Sequence, residues 1–285
     1  MSEKIGPYRL IDLPPERRAM PRFLDFTWRR HCMYGLLEVD VTAARQFIEQ
    51  HKARSGETLS FTGYLAFCLA RAVDEDQEVQ AWIKGRKQLV VFDDVNVGLT
   101  IERQLGETRA LMGHVIWGAN HKTYREIHQE IRSVQSEPVP PGGWVPSWFQ
   151  SAMLLPWPLS SLANALLRMA VRRDPTLSVS AGGTVGITAV GMFGKGQGGW
   201  GLSPAIHPLD LVVGGITTKP AIVDGRIEPR DILDLTVVFD HDVIDGAPAA
   251  RFARRLVELI ESGYGLGEDQ AARQAKPAAP MRQSR

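Results

Sequence analysis

His241, Asp245 and Gly246, a histidine with a carboxylate four residues on and a glycine directly after it, carry the clearest chemical meaning in this chain. A neutral imidazole near physiological pH can take a proton from a thiol, hydroxyl or amine as that group attacks a thioester, without a covalent enzyme intermediate. Position matters as much as type. Thr236-Val237-Val238-Phe239 is a short β-branched and apolar run, whereas Ala249, Phe252, Ala253, Leu256, Leu259 and Ile260 repeat at helical spacing. His241 is therefore expected at a strand-to-helix junction, where a rigid scaffold presents a base to substrate. Against this stand two blander readings, a core histidine at a strand end and an Asp245 that only serves a turn or a helix N-cap. Gly246 is expected to let the backbone turn after Asp245 without a side-chain clash.

The elements that must position these groups can be followed along the chain. After an arginine-rich opening (Arg17, Arg18, Arg22, Arg29, Arg30), Leu36 to Val41 alternates as a strand does, and Thr42 is expected to cap the following helix. Ser60 to Val73 reads as a second helix, a charged hinge spans Asp74 to Glu78, and short strands are expected at Leu89 to Phe92 and Val95 to Ile101. Tyr124 to Val134 is an amphipathic helix with Ile127, Ile131 and Val134 on one side. Leu159 to Arg172 is another helix, followed by strands at Thr184 to Val190, Leu209 to Ile216 and Leu235 to Phe239. The glycine-rich loop Gly191 to Gly201 has neither a P-loop ending nor a dinucleotide fingerprint, so it does not read as a phosphate cradle. From Gly265 onward the chain is small, polar and charged, and disorder is expected there.

The 285 residues are 44% hydrophobic, enough for a sizeable core. With 33 basic against 32 acidic side chains and no basic block interleaved with aromatics, a nucleic-acid partner is not expected. Residues 1–10 lack the apolar core of a secretory signal, which points to a cytoplasmic protein. Two cysteines, Cys32 and Cys68, cannot build a disulfide framework, and Cys68 falls on an apolar helix face with Phe61, Tyr64, Leu65 and Leu69. His31, His51, His114, His121, His128 and His207 form no ligand array of the H-E-x-x-H kind, so no metal is expected.

Several ordered segments together carry a family resemblance. Glu38-Val39-Asp40-Val41-Thr42, Leu59-Ser60-Phe61-Thr62, Gly182-Gly183-Thr184 through Gly191-Met192-Phe193-Gly194, Ile206-His207-Pro208 through Ile216, and Phe239-Asp240-His241 through Asp245-Gly246-Ala247 resemble the catalytic domain of 2-oxo-acid dehydrogenase acyltransferases. This is the dihydrolipoamide acyltransferase family, related to chloramphenicol acetyltransferase. The resemblance runs from about Pro14 to Gly263 and breaks at an insertion of about 136–180. It implies an α/β fold, a two-layer mixed-sheet sandwich of the chloramphenicol acetyltransferase-like type, in one catalytic domain over 1–264 with a disordered tail at 265–285. It further implies a homotrimer with active sites between subunits, leaves assembly into a larger cage open, and assigns three site residues. His241 is the general base, Thr188 is the hydroxyl donor to the tetrahedral intermediate where the family usually has serine, and Asp245 is a structural carboxylate paired with an arginine. Arg17, Arg18, Arg29 and Arg30 are the candidates for that pairing, and a plain sheet threonine is the other reading of Thr188.

Coenzyme A would act as a substrate, with no tightly bound cofactor. No lipoyl domain or subunit-binding module is recognised before the catalytic region, so a lipoyl group would sit on a separate carrier protein. Asp242 stands where the family usually places arginine. Two other functions stay open: an acyl-coenzyme A-dependent transferase acting on a small amine or alcohol, and a catalytically silent trimeric scaffold for dehydrogenase partners. The insertion, with Trp144, Trp148, Trp157, Phe149, Met153, Leu154 and Leu155, is apolar but broken by Pro146, Pro156 and Pro158, which rules out a spanning helix there. Packing on the protein body and a wall of the acceptor pocket both rank ahead of membrane contact, which is not expected.

Overall fold

A computed structural model describes residues 8–13, 21, 30–105, 108–136, 155–156, 158–189 and 196–267. In chain order its main elements are β1 (Cys32–Asp40), α1 (Thr42–Ser55), α2 (Phe61–Glu75), β2 (Trp82–Lys84), β3 (Gln88–Val90), β4 (Val97–Leu105), β5 (Thr108–Ile116) and α3 (Tyr124–Ser136). Then come α4 (Leu159–Arg173), α5 (Thr176–Gly182), β6 (Val185–Ala189), β7 (Leu209–Val223), β8 (Arg226–Asp240) and α6 (Gly246–Glu261). Six strands form one sheet in the order β1-β8-β7-β6-β4-β5. The β4/β6 and β6/β7 pairs are parallel and the other three antiparallel, so the sheet is mixed. The short β2/β3 ribbon stands apart from it.

Period-two alternation divides each strand between the two faces of the sheet. On one face Val39, Val97, Leu99, Val185, Ile187, Leu211, Leu235 and Val237 meet Leu65, Phe67, Leu69, Ile127, Phe252 and Leu256 from the helices in a single buried core. This is the α/β two-layer arrangement expected. Helix α2 starts where Ser60 accepts a hydrogen bond from the Gly63 N–H at 3.0 Å, and Tyr64 donates from its hydroxyl to the carbonyls of Leu259 and Ile260, tying α2 to α6. Cys68 is fully buried on α2, and loss of solvation pushes its thiol up to about 12. Both cysteines are free.

Several expectations need correction. Thr42 is the first residue of α1 and makes no cap bond; its hydroxyl instead accepts from the Asp231 N–H at 2.8 Å, and the Asp40 carboxylate accepts from the Thr42 N–H. The hinge at Asp74 to Glu78 is the end of α2 running into a 3-10 turn, Gln77–Gln80. Strands β2 and β5 were not anticipated. Strands β7 and β8 run much longer than expected, because residues 216–223 and 226–233 pair with one another as an arm reaching past most of the sheet. Lys219-Pro220 and Glu228-Pro229 look like strand breakers, but Pro220 and Pro229 lie opposite each other in an arm whose outer edges need no ladder partner. The tail beyond residue 267, the Gly191–Gly194 turn and most of the Pro/Trp-rich stretch lie outside the described residues.

Candidate active site

His241 leaves the end of β8 in a turn held by backbone bonds on every side. Its N–H donates to the His31 carbonyl at 2.7 Å, the Asp240 N–H donates to Pro208, and the N–H groups of Val243 and Ile244 both donate to the Asp240 carbonyl. The Asp240 side chain, only 2% exposed, accepts from the Asp242 N–H through one oxygen and pairs with the Arg30 guanidinium through the other. Arg30 in turn lies 4.9 Å from the centre of the Trp82 ring, a cation–π contact. A buried ion pair thus sits directly behind the candidate base.

The His241 side chain is about half exposed. Its Nδ1 lies 3.8 Å from Asp245 Oδ1, too far for a hydrogen bond but close enough for the carboxylate to favour a proton on that nitrogen. Nε2 has no hydrogen-bond partner among the described residues, which leaves it open to accept a proton. Asp245 is largely exposed; it occupies the N-cap position of α6 but makes no cap hydrogen bond. Arg30 is committed to Asp240 and is not the arginine expected for Asp245, while Arg17, Arg18 and Arg29 lie outside the described residues. The steric expectation for Gly246 fails within this chain: its φ is not positive, and a Cβ added there would meet nothing within 4 Å.

Asp242, next to His241, has a hydrogen-bond partner of its own. It hydrogen-bonds His31 Nδ1 at 2.9 Å, and that bond, with the carboxylate charge behind it, raises the His31 pKa above the ordinary 6.5. A raised folded value makes the clip stabilising below pH 6.5 and weakens it as pH climbs through the His31 titration. In an NMR titration the His31 ring signals are expected to move at a higher pH than in unfolded chain, and Asp242→Asn should bring the midpoint back down. An unchanged midpoint in that variant would rule out the clip.

Thr188 is the fourth residue of the five-residue β6. It lies opposite Val212 of β7, and Val212 lies opposite Thr236 of β8. His241 is five residues further along β8 from that register, so strand rise and spacing put Thr188 and His241 of one chain roughly 19 Å apart. They do not meet within one copy. Thr188 alternates with the core residues Val185 and Ile187, so it belongs to the sheet face away from the helices.

That face explains the Gly182-Gly183-Thr184-Val185-Gly186 sequence. The buried His207 ring spans from Asp210 Oδ1, 2.6 Å from Nδ1, to the Gly182 carbonyl, 3.0 Å from Nε2, so both ring nitrogens face acceptors. Burial pushes the Asp210 carboxyl up, but the His207 charge and the hydrogen bonds from His207 and Ile206 outweigh it and hold the group below its usual range. A Cβ on Gly186 would collide with both side chains. Gly183 has φ of +91°, and a Cβ there would strike the Asn96 carbonyl. Beside Ala189, next along from Thr188, is an open concavity of about 530 Å³ bordered by Phe61, Val213, Ile216 and the Arg45–Asp231 ion pair.

The pairings of Asp240 with Arg30 and of Asp242 with His31 escaped the reading of the sequence, which offers Arg30 only as a candidate partner of Asp245. Asp240 alone had a usable signal, a carboxylate ending an apolar strand that must be paired if it is buried. Among the described residues, no group of three or more His, Cys, Asp or Glu side chains is placed to hold a metal ion, and no helix is long and apolar enough to cross a membrane.

Comparison with known proteins bears on this arrangement. A model of the 2-oxoacid dehydrogenases acyltransferase (catalytic domain) family matches residues 8–137 and 144–266. The lipoamide acyltransferase component of the branched-chain alpha-keto acid dehydrogenase complex of Bacillus subtilis is 26% identical over 236 residues, covering 80% of this chain and 46% of that protein. The dihydrolipoyllysine-residue succinyltransferase component of the 2-oxoglutarate dehydrogenase complex of Bartonella vinsonii is 26% identical over 233 residues, covering 79% and 46%. The chain thus spans about half the length of these curated relatives. Among solved structures, the cubic core of the pyruvate dehydrogenase multienzyme complex superposes with a TM-score of 0.66 at 19% identity, covering 93% of this chain and 96% of that one. A probable dihydrolipoamide acetyltransferase from Listeria monocytogenes gives 0.64 at 19% identity, covering 91% and 97%. At that identity the two structures speak for the fold.

Proposed function

The chain belongs to the 2-oxoacid dehydrogenase acyltransferase (catalytic domain) family, and from that membership we propose that it moves an acyl group between coenzyme A and an acceptor thiol, a dihydrolipoyl group on a separate carrier. His241 Nε2 takes the proton of the attacking thiol, and the sulfur adds to the thioester carbonyl. The resulting oxyanion is stabilised by the Thr188 hydroxyl, and collapse expels the other thiolate, which regains the proton from the imidazolium. Asp245 favours the tautomer with its proton on Nδ1, so its role is to position.

The observation that carries this reading is the free Nε2 of a histidine whose backbone turn is fixed on every side and whose Nδ1 faces a carboxylate. The separation of roughly 19 Å between Thr188 and His241 supports a site shared between copies, His241 from one and Thr188 from its neighbour. The sheet face away from the helices suits such an assembly. It carries the exposed Tyr34 and Leu36 beside Trp200 and Leu202, and the buried Thr236 hydroxyl there has no hydrogen-bond partner among the described residues of one copy. A homotrimer closes the site as the family resemblance implies, and 1–264 is its catalytic domain.

The concavity beside Ala189 falls within the size range of small-molecule pockets, which favours a small amine or alcohol as the second reading of the acceptor. Mass-spectrometric detection of transfer from a panel of acyl-coenzyme A donors to dihydrolipoamide and to mixed amines and alcohols separates the two. Transfer to dihydrolipoamide is expected. Transfer only to another acceptor would replace it with the second reading, and no transfer at all would leave a scaffold.

A further inference from the structure

Helix α4 is built the wrong way round for a surface helix in water. Leu159, Leu162, Leu166 and Met169, spaced three and four residues apart, form one stripe, and each is more than half exposed. The inward side buries Ser160 and Asn164, and Asn164 Oδ1 has no hydrogen-bond partner among the described residues. An amphipathic surface helix does the reverse, and four long apolar side chains on consecutive turns are not the scattered exposure that surfaces normally tolerate.

The stripe ends in a cluster of cations. Arg172 and Arg173 close the helix, and the β2–β3 turn is tied to them: the Gly85 N–H donates to the Arg172 carbonyl at 2.6 Å, and Arg172 Nε donates back to the Gly85 carbonyl at 3.0 Å. Lys84, Arg86 and Lys87 of that turn share one open concavity of about 550 Å³ with Arg173. Among the described residues, no carboxylate forms a salt bridge with any of these five cations. Asp174 is nearby, but its oxygen is engaged by Thr176 and its negative charge is favoured by those bonds and by Lys84. The 15 residues of α4 include no Asp or Glu.

We infer that α4 and the Lys84–Lys87 turn form a docking surface for a lipid bilayer carrying anionic headgroups. A row of flexible aliphatic side chains without a hydrogen-bonding group or a shaped pocket suits a fluid apolar phase, and the cations at its end, which form no salt bridge among the described residues, suit the headgroups. A second copy docked face to face would bring the same cations to a contact without carboxylates to meet them. At 15 residues the helix is about 22 Å long, short of the hydrocarbon thickness, so it lies on the surface and does not span. The sequence alone ranks membrane contact behind packing and a pocket wall; the exposed stripe and the cations at its end are what bring it forward.

The test is co-sedimentation of the full chain with phosphatidylcholine vesicles with and without phosphatidylglycerol. Binding is expected with phosphatidylglycerol, weaker by about tenfold or more without it and at high salt. Leu162→Glu/Leu166→Glu and Arg86→Glu/Lys87→Glu should each reduce it by about tenfold or more, with melting temperature and oligomeric mass unchanged. No binding to the anionic vesicles, or equal binding to both kinds, would overturn the proposal. So would a change of oligomeric mass in the leucine variant, which would assign the stripe to a contact between copies. Should the leucine pair not fold, the charge pair decides alone, since its side chains lie on an exposed turn.

Discussion

His241→Ala is expected to lower the rate of acyl transfer by about 10³-fold, with melting temperature unchanged. The side chain is half exposed and its ring makes no hydrogen bond among the described residues, while the turn that carries it is held by main-chain bonds that alanine retains. Loss of activity would therefore report on chemistry and not on folding. A variant that kept most of its activity would exclude the imidazole as the base. Thr188→Ala is expected to lose about 10²-fold or more for the oxyanion. The decisive form mixes the two variants. If His241 and Thr188 act across a subunit boundary, oligomers reassembled from equal amounts of the two inactive chains regain about a quarter of wild-type activity, because one site in four then combines both intact groups. If both groups acted within one copy, the mixture would stay as inactive as its components. The register of β6, β7 and β8 makes the first outcome the expected one.

Arg30→Ala should be the most damaging single change to stability near the site, about 3 kcal/mol or a fall of roughly 6–10 °C in melting temperature. It leaves the Asp240 carboxylate buried at the end of β8 with a backbone N–H as its remaining partner. Arg30 is itself mostly covered and stacked on Trp82, so its removal also strips packing. Pairing Arg30→Met with Asp240→Leu should recover much of the loss, since replacing both members of a buried pair with apolar groups avoids the stranded charge. A thermal melt of Arg30→Ala within a degree of the parent would show that Asp240 is served by solvent instead.

What could be read in advance follows from how local each signal is. The junction at His241 was legible because a β-branched strand ends and a helical repeat begins within ten residues, and Ser60 was legible as the start of a helix for the same reason. Thr188 drew attention only through family resemblance, because nothing local distinguishes it from any other sheet threonine. Strand β2 is three residues long and makes sense only once it pairs with β3. Strand β5, with Gly113 and His114 amid Leu111, Met112, Val115 and Ile116, breaks the alternation that marks a strand, and its place is fixed by β4. The long arm was masked by two prolines whose effect cancels when they face each other. The partners of Asp240 and Asp242 depend on contacts across some 210 residues of sequence, which no local pattern encodes.

On the proposed function the protein would work among thioesters and thiols, where its own cysteines are potential side targets. Cys68, enclosed by α2 and the helices around it, is protonated at any pH at which the protein would work, and a protonated thiol neither accepts an acyl group nor enters disulfide exchange. Burying it keeps the core from being modified by the substrates the surface handles. On the proposed function the chain would separate two kinds of sulfur chemistry by solvation: the substrate's sulfur would be ionised at an open imidazole, and the sulfur of Cys68 is silenced by the absence of water.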